Sequence, residues 1–114
     1  MTGSRSWTTE QTIEYALYWV RTVHGRESII VHGHCPRGAD AIADRLAISM
    51  GFSVERHPAQ WDLYGRRAGF IRNTYMVDAG AQACLAFIRD NSKGATMCAQ
   101  LAAAAGIPVT EFRE

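Results

Sequence analysis

The chain has 114 residues, 47% of them apolar, and twelve basic against eleven acidic groups leave a net charge of +1. That length suits a single domain over residues 1–114, large enough to bury a core without disulfides or metal. The near-neutral sum speaks against a bulk polyanion binder, and no apolar run approaches the roughly 18 residues of a membrane span. Three widely spaced cysteines, Cys35, Cys84 and Cys98, fit a reducing, cytoplasmic setting better than a disulfide framework.

In chain order, Thr8 or Thr9 can cap a helix running to about residue 24, with Thr8 and Gln11 spaced as a capping box. Ile13, Ala16, Leu17 and Val20 form its apolar face, and Gly25 ends it. Residues 28–32 are a β-branched run of the kind buried on both faces of a parallel sheet. A second helix is expected over 39–50, with Ile42, Ala43 and Leu46 inward, and a weaker strand over 52–57 stopped by Pro58. Residues 58–69 read as a polar loop, 70–79 as a third helix and 82–88 as an apolar strand. An Ala-rich helix over 96–105 and a last strand over 107–112 complete the series. Strands separated by helices imply right-handed crossovers, hence an α/β, Rossmann-like domain: a mostly parallel sheet with helices on both faces. Only Met1 and Thr2 precede the first Gly turn, so the first strand is expected to be truncated or absent. An uncovered central edge would then favour self-association into a homo-oligomer.

In such sheets ligands bind beyond the carboxyl ends of the strands. Four loops should meet there. The first is Gly3-Ser4-Arg5-Ser6-Trp7, a small-residue turn with a guanidinium and an indole. The second, Gly33 to Arg37-Gly38-Ala39-Asp40, opens a helix whose amides suit an anion. The third carries Trp61, Asp62, Tyr64, Arg66, Arg67 and Gly69, then Arg72-Asn73. The fourth, Asn91-Ser92-Lys93-Gly94-Ala95-Thr96, offers another amide-and-hydroxyl cradle. Arg5, Arg37, Arg66, Arg67, Arg72 and Lys93 are half of all basic residues, and all fall on this predicted edge. Guanidinium groups grip phosphate with paired donors, so a local anion site is expected despite the neutral total. Trp7, Trp61 and Tyr64 could flank a base or pack in the core. The glycine spacing is neither the dinucleotide fingerprint nor a P-loop. His32-x-His34-Cys35 lacks a second ligand group at zinc spacing, so no metal and no cofactor are expected. Asp40 favours a helix N-terminus, and it could also hold a ribose hydroxyl or act as a base; Asp62 is similar, with weaker support.

Gly3-Ser4-Arg5, Gly33…Pro36-Arg37-Gly38-Ala39-Asp40, Trp61…Gly65-Arg66-x-Ala68-Gly69-x-x-Arg72-Asn73-x-x-Met76 and Leu85-Ala86-Phe87…Ser92-x-Gly94 follow one another in a familiar order. Together they resemble the YspA-like branch of the SLOG superfamily, found in bacteria and their phages. The resemblance implies a Rossmann-like domain that binds, or in some branches processes, nucleotide-derived small molecules. In the related LOG phosphoribohydrolases, which cleave a nucleotide N-glycosidic bond, an Arg-Lys-x-x-Met helix pairs with a Gly-Gly-x-Gly-Thr-x-x-Glu loop. Here Asn73 replaces the Lys, the loop reads Asn91-Ser92-Lys93-Gly94-Ala95, and Cys98 takes the Glu position. That loss puts LOG-type hydrolysis in doubt. The catalytic candidates that remain are Asp40, Asp62 and Arg72.

The expected function is therefore binding of a nucleotide or nucleotide-derived small molecule, with no membrane partner. A phosphoribohydrolase-like enzyme is the first alternative. Single-stranded nucleic-acid binding is the second, because the superfamily includes the DNA-processing protein DprA; the net charge disfavours it.

Overall fold

Short apolar runs become parallel strands, and the amphipathic stretches between them become the crossover helices. The computed structural model describes residues 1–114. Its elements are β1 (Thr2–Gly3), α1 (Glu10–His24), β2 (Ile29–His32), α2 (Ala39–Ser49), β3 (Ser53–Arg56), α3 (Trp61–Tyr64), α4 (Ala68–Asp78), β4 (Cys84–Ile88), α5 (Lys93–Ala104) and β5 (Val109–Arg113). A single 3-10 turn, Gly65–Arg67, joins α3 to α4.

All strand pairs are parallel. β1, β4 and β5 form one ladder and β2 with β3 another. The amino group of Met1 donates to the Val31 carbonyl at 2.6 Å, setting β1 beside β2. The combined order β3-β2-β1-β4-β5 is that of a doubly wound, Rossmann-like sheet. The first strand is thus truncated rather than absent. Thr2 pairs with Ala86 and Gly3 with Phe87, so the central position is filled, and the uncovered-edge reason for self-association falls away.

β4 is buried at all five residues and sorts its side chains by alternation. Leu85 and Phe87 join a cluster with Ile13, Ala16, Leu17 and Val20 of α1 and Ala39, Ala43 and Ala47 of α2. Ala86 and Ile88 face the opposite way, onto Ala95 and Ala99 of α5. Helices therefore cover both faces. Phe87 anchors the larger cluster, edge-on to Trp7 at 5.5 Å and stacked on Phe112 at 5.0 Å. Burying a side chain of this size contributes about 1.5–3 kcal/mol. The small alanines on the other face let α5 lie close to the sheet.

Three expectations need correction. β2 is not covered on both faces: Ile30 and His32 are buried, but Ile29 is exposed and Val31 only partly covered. Residues 58–69 are not a plain loop, since α3 and the 3-10 turn form there without burying a single residue of their own. The Thr8–Gln11 capping box does not form. Instead, the Glu114 carboxylate accepts from the backbone N–H groups of Thr8 and Thr9, at 2.8 and 2.9 Å, and from the Thr8 hydroxyl at 2.6 Å. A side chain just beyond β5 thus accepts from the N-cap N–H, the part a capping-box Gln11 would play, and ties down the entry to α1.

Candidate functional site

The carboxyl ends of β1, β2 and β4 open onto a cavity of about 770 Å³, within the range of small-molecule sites. Five cations line it: Arg5, Arg37, Arg66, Arg72 and Lys93. None makes an ion pair with a protein carboxylate, whereas Arg45, Arg56, Arg89 and Arg113 all do. Asp40 is the cavity's one acid. The N-terminus of α5 adds partial positive charge. Ser92 N–H and Thr96 N–H bond to the carbonyls of Arg89 and Ser92, but the intervening N–H groups of Lys93, Gly94 and Ala95 meet no protein acceptor. A Cβ on Gly94 would meet nothing within 4 Å, so this stretch of backbone is open to a close approach.

Three other glycines make room for the protein itself. A Cβ on Gly38 would fall 2.4 Å from the Ser4 carbonyl oxygen, and one on Gly3 would fall 2.2 Å from the Ala39 Cβ. The first and second loops therefore touch backbone to backbone, and the Ala39 N–H donates to Ser4 O at 3.1 Å. Ser4 is a buried strut. Its hydroxyl donates to Arg89 O at 3.3 Å and accepts from Arg89 N–H at 2.8 Å. Gly33 makes room for Arg72, whose Nη1 would lie 2.2 Å from an added Cβ.

Arg72 holds the cavity floor together. Nη1 donates to Gly33 O at 2.6 Å and His57 O at 3.3 Å, while Nε donates to Asn73 Oδ1 at 2.7 Å. Buried Asn73 passes the connection on, its Nδ2 reaching Gly94 O at 3.5 Å. The ends of β2 and β3 are thereby tied through α4 to the start of α5. Nη2 of Arg72 makes no protein hydrogen bond and remains free for a ligand.

Behind the second loop, His32 is fully buried. Its Nδ1 accepts from the His34 N–H at 2.9 Å, so in the neutral ring Nε2 carries the proton and donates to Asp44 Oδ2 at 2.7 Å. Burial pushes the His32 pKa down, against the opposing pull of Asp40 and Asp44. The Arg56 guanidinium holds the Asp44 carboxyl below its ordinary range. His32, His34 and Asp44 do converge, but both ring nitrogens of His32 are already engaged. The cluster is better suited to supporting His34, a non-glycine residue at φ 56°, than to holding a metal. The half-buried Cys35 thiol has its pKa raised by burial and by the charge of Asp40, which disfavours a nucleophilic thiolate.

The cavity gathers most of the residues expected from the sequence: Gly3, Ser4 and Arg5; Gly33, Arg37 and Asp40; Trp61, Arg66 and Gly69; Arg72 and Asn73; Ser92 and Gly94. Gly38, Ala39 and Thr96 do not line it, and neither does Asp62. Tyr64 lines a separate cleft of about 400 Å³ beyond β3. Trp7 is core, with its indole N–H donating to Thr9 O at 2.9 Å. Thr2, Ser6, Phe70, Met76, Ala95 and Met97 also face the cavity. Ser6, Met76 and Ala95 lay inside loops or motifs already singled out, whereas Thr2, Phe70 and Met97 carried no signal beyond closeness to one.

The sequence profile of the family described as YAcAr: YspA, cpYpsA-related SLOG family matches residues 1–64. The "Gene 61 protein" of Mycobacterium phage D29 is 45% identical over 119 residues, an alignment spanning 98% of this chain and 93% of that protein. No solved structure matches significantly.

Proposed function

We propose, since this chain belongs to the YspA, cpYpsA-related SLOG family, that its cavity binds a nucleotide or nucleotide-derived small molecule. One observation carries the reading: five cations without carboxylate partners and three unmet α5 amides surround a cavity with a single acid. Fixed donors around a compact space suit a phosphate, because charge-assisted hydrogen bonds are about twice as strong as neutral ones. Lys93 and the Lys93–Ala95 amides hold the phosphate, with Arg5 and Nη2 of Arg72 completing the charge balance. Trp61, 47% exposed, offers its face to a base, and the Arg5 guanidinium stands 5.4 Å from its ring centroid. The domain acts as a sensor, a sequestering domain or a processing domain for that ligand.

Hydrolysis of an N-glycosidic bond would have to run through Asp40. Cys98, at the position where the related hydrolases carry Glu, is buried and off the cavity, and burial pushes its thiol pKa up. Binding is therefore preferred over catalysis. Isothermal titration with nucleoside 5′-monophosphates and ADP-ribose tests the reading. Binding of at least one ligand is expected, weakened about tenfold or more in Arg5→Ala and Lys93→Ala, a loss of about 1.4 kcal/mol at each charged contact. Absence of binding at millimolar ligand overturns it.

A further inference from the structure

Asp40 is 4% exposed, yet it is only half satisfied. Its Oδ2 accepts from the Cys35 N–H at 3.2 Å. Its Oδ1 is the only buried side-chain polar atom in the protein without a hydrogen-bond partner. No cation lies within ion-pair distance, although the same cavity holds five. Two of those five have other engagements: Arg72 is committed to the Gly33 and His57 carbonyls, and Arg5 lies over Trp61. A buried carboxylate oxygen left without a donor carries a desolvation penalty that a ligand donor would relieve.

We infer that Asp40 reads a sugar hydroxyl and makes the site selective for ribonucleotides over deoxyribonucleotides, an inference that rests on the nucleotide reading above. An anionic acceptor deep in a cationic cavity calls for a ligand carrying both a phosphate and a neutral donor. A single hydroxyl needs only the unpartnered Oδ1, whereas paired recognition of a guanine edge would have to share Oδ2 with the Cys35 N–H. Position along the sheet edge points the same way. α5 follows β4 and Trp61 follows β3, while Asp40 opens the helix after β2, between the phosphate cradle and the aromatic face. Phosphate, sugar and base succeed one another in that order along a nucleotide.

The test is titration of the intact protein with the four ribonucleoside 5′-monophosphates and their 2′-deoxy and 3′-deoxy analogues. The wild type should bind the best ribonucleotide at least tenfold more tightly than one of its deoxy analogues. Asp40→Asn retains an oxygen for the Cys35 N–H and presents an amide N–H₂ to the cavity. It should lose that preference chiefly by weakening the ribonucleotide, and Asp40→Ser serves if the Asn variant melts early. Equal wild-type affinity for ribo- and deoxynucleotides overturns the inference and leaves the nucleotide reading standing. A preference that survives in both variants overturns it as well, because the hydroxyl is then read elsewhere. Failure of these probes and of ADP-ribose to bind at millimolar concentration overturns the nucleotide reading and this inference together.

Discussion

At the scale of single residues, two glycines that look alike in the sequence do different work. Gly38 has φ 75° and ψ −148°, a conformation close to glycine's own region, and it abuts the Ser4 carbonyl. Gly33 has no such backbone demand; it leaves space for the Arg72 guanidinium. Gly38→Ala should therefore cost about 2 kcal/mol or more of stability, the sum of backbone strain and a contact that must open. Gly33→Ala should displace Arg72 and weaken ligand binding much as Arg72→Ala does, with a smaller loss of melting temperature than Gly38→Ala. Paired denaturant melts and titrations separate the two, and equal stability losses would contradict the assignment. The sequence marked both positions as loop glycines suited to an anion. It could not show that the closest neighbours would be a carbonyl and an arginine brought in from residues 4 and 72. The arginines and the amides of α5 were legible because they follow strand ends; Ser4 as a strut was not, because its partner is Arg89.

At the scale of elements, the long helices and the apolar strands follow from periodicity. The exceptions are segments too short to be periodic or dependent on distant partners. β1 has two residues, and it is defined as a strand only by pairing with β4. α3 buries nothing of its own, so no apolar stripe announces it. The entry to α1 is held by Glu114, more than a hundred residues away, which accepts from the Thr8 and Thr9 N–H groups. Desolvation alone would raise the Glu114 pKa, but hydrogen bonds from Thr8 and Thr9 outweigh it and bring the carboxyl from 4.5 to about 2. The folded pKa lies below the unfolded one, so this stabilisation is complete above about pH 4.5 and fades as pH falls toward 2. Glu114→Gln should therefore melt below wild type at pH 6, and the gap should close on acidification through that window. A gap independent of pH would mean that the carboxylate charge is not what holds the entry to α1.

At the scale of the whole molecule, the balance of charge and its distribution lead to different expectations. Twelve basic and eleven acidic groups give no broad field to draw in a polyanion, and no helix is long and apolar enough to cross a membrane. Five unpaired cations inside one cavity create a local potential instead. A single-stranded oligonucleotide should accordingly show no gel shift at about 150 mM salt, where screening acts within about 8 Å. Mononucleotides should still bind under that condition. Tight, steeply salt-dependent oligonucleotide binding would reverse the ranking of the two partners.

The sheet is built from two ladders, β1-β4-β5 and β2-β3, joined along the backbone by the bond from Met1 to Val31. The cavity straddles that seam, with Asp40 and Trp61 on one side and the α5 amides on the other. Any molecule held from both sides must act as a rivet. Its binding energy opposes separation of the ladders, and for one site the fold gains RT ln(1 + [L]/Kd). Heat tolerance thereby becomes a gauge of occupancy, and a melting-temperature screen of metabolite mixtures can search for the natural ligand without a labelled probe or an assumed reaction.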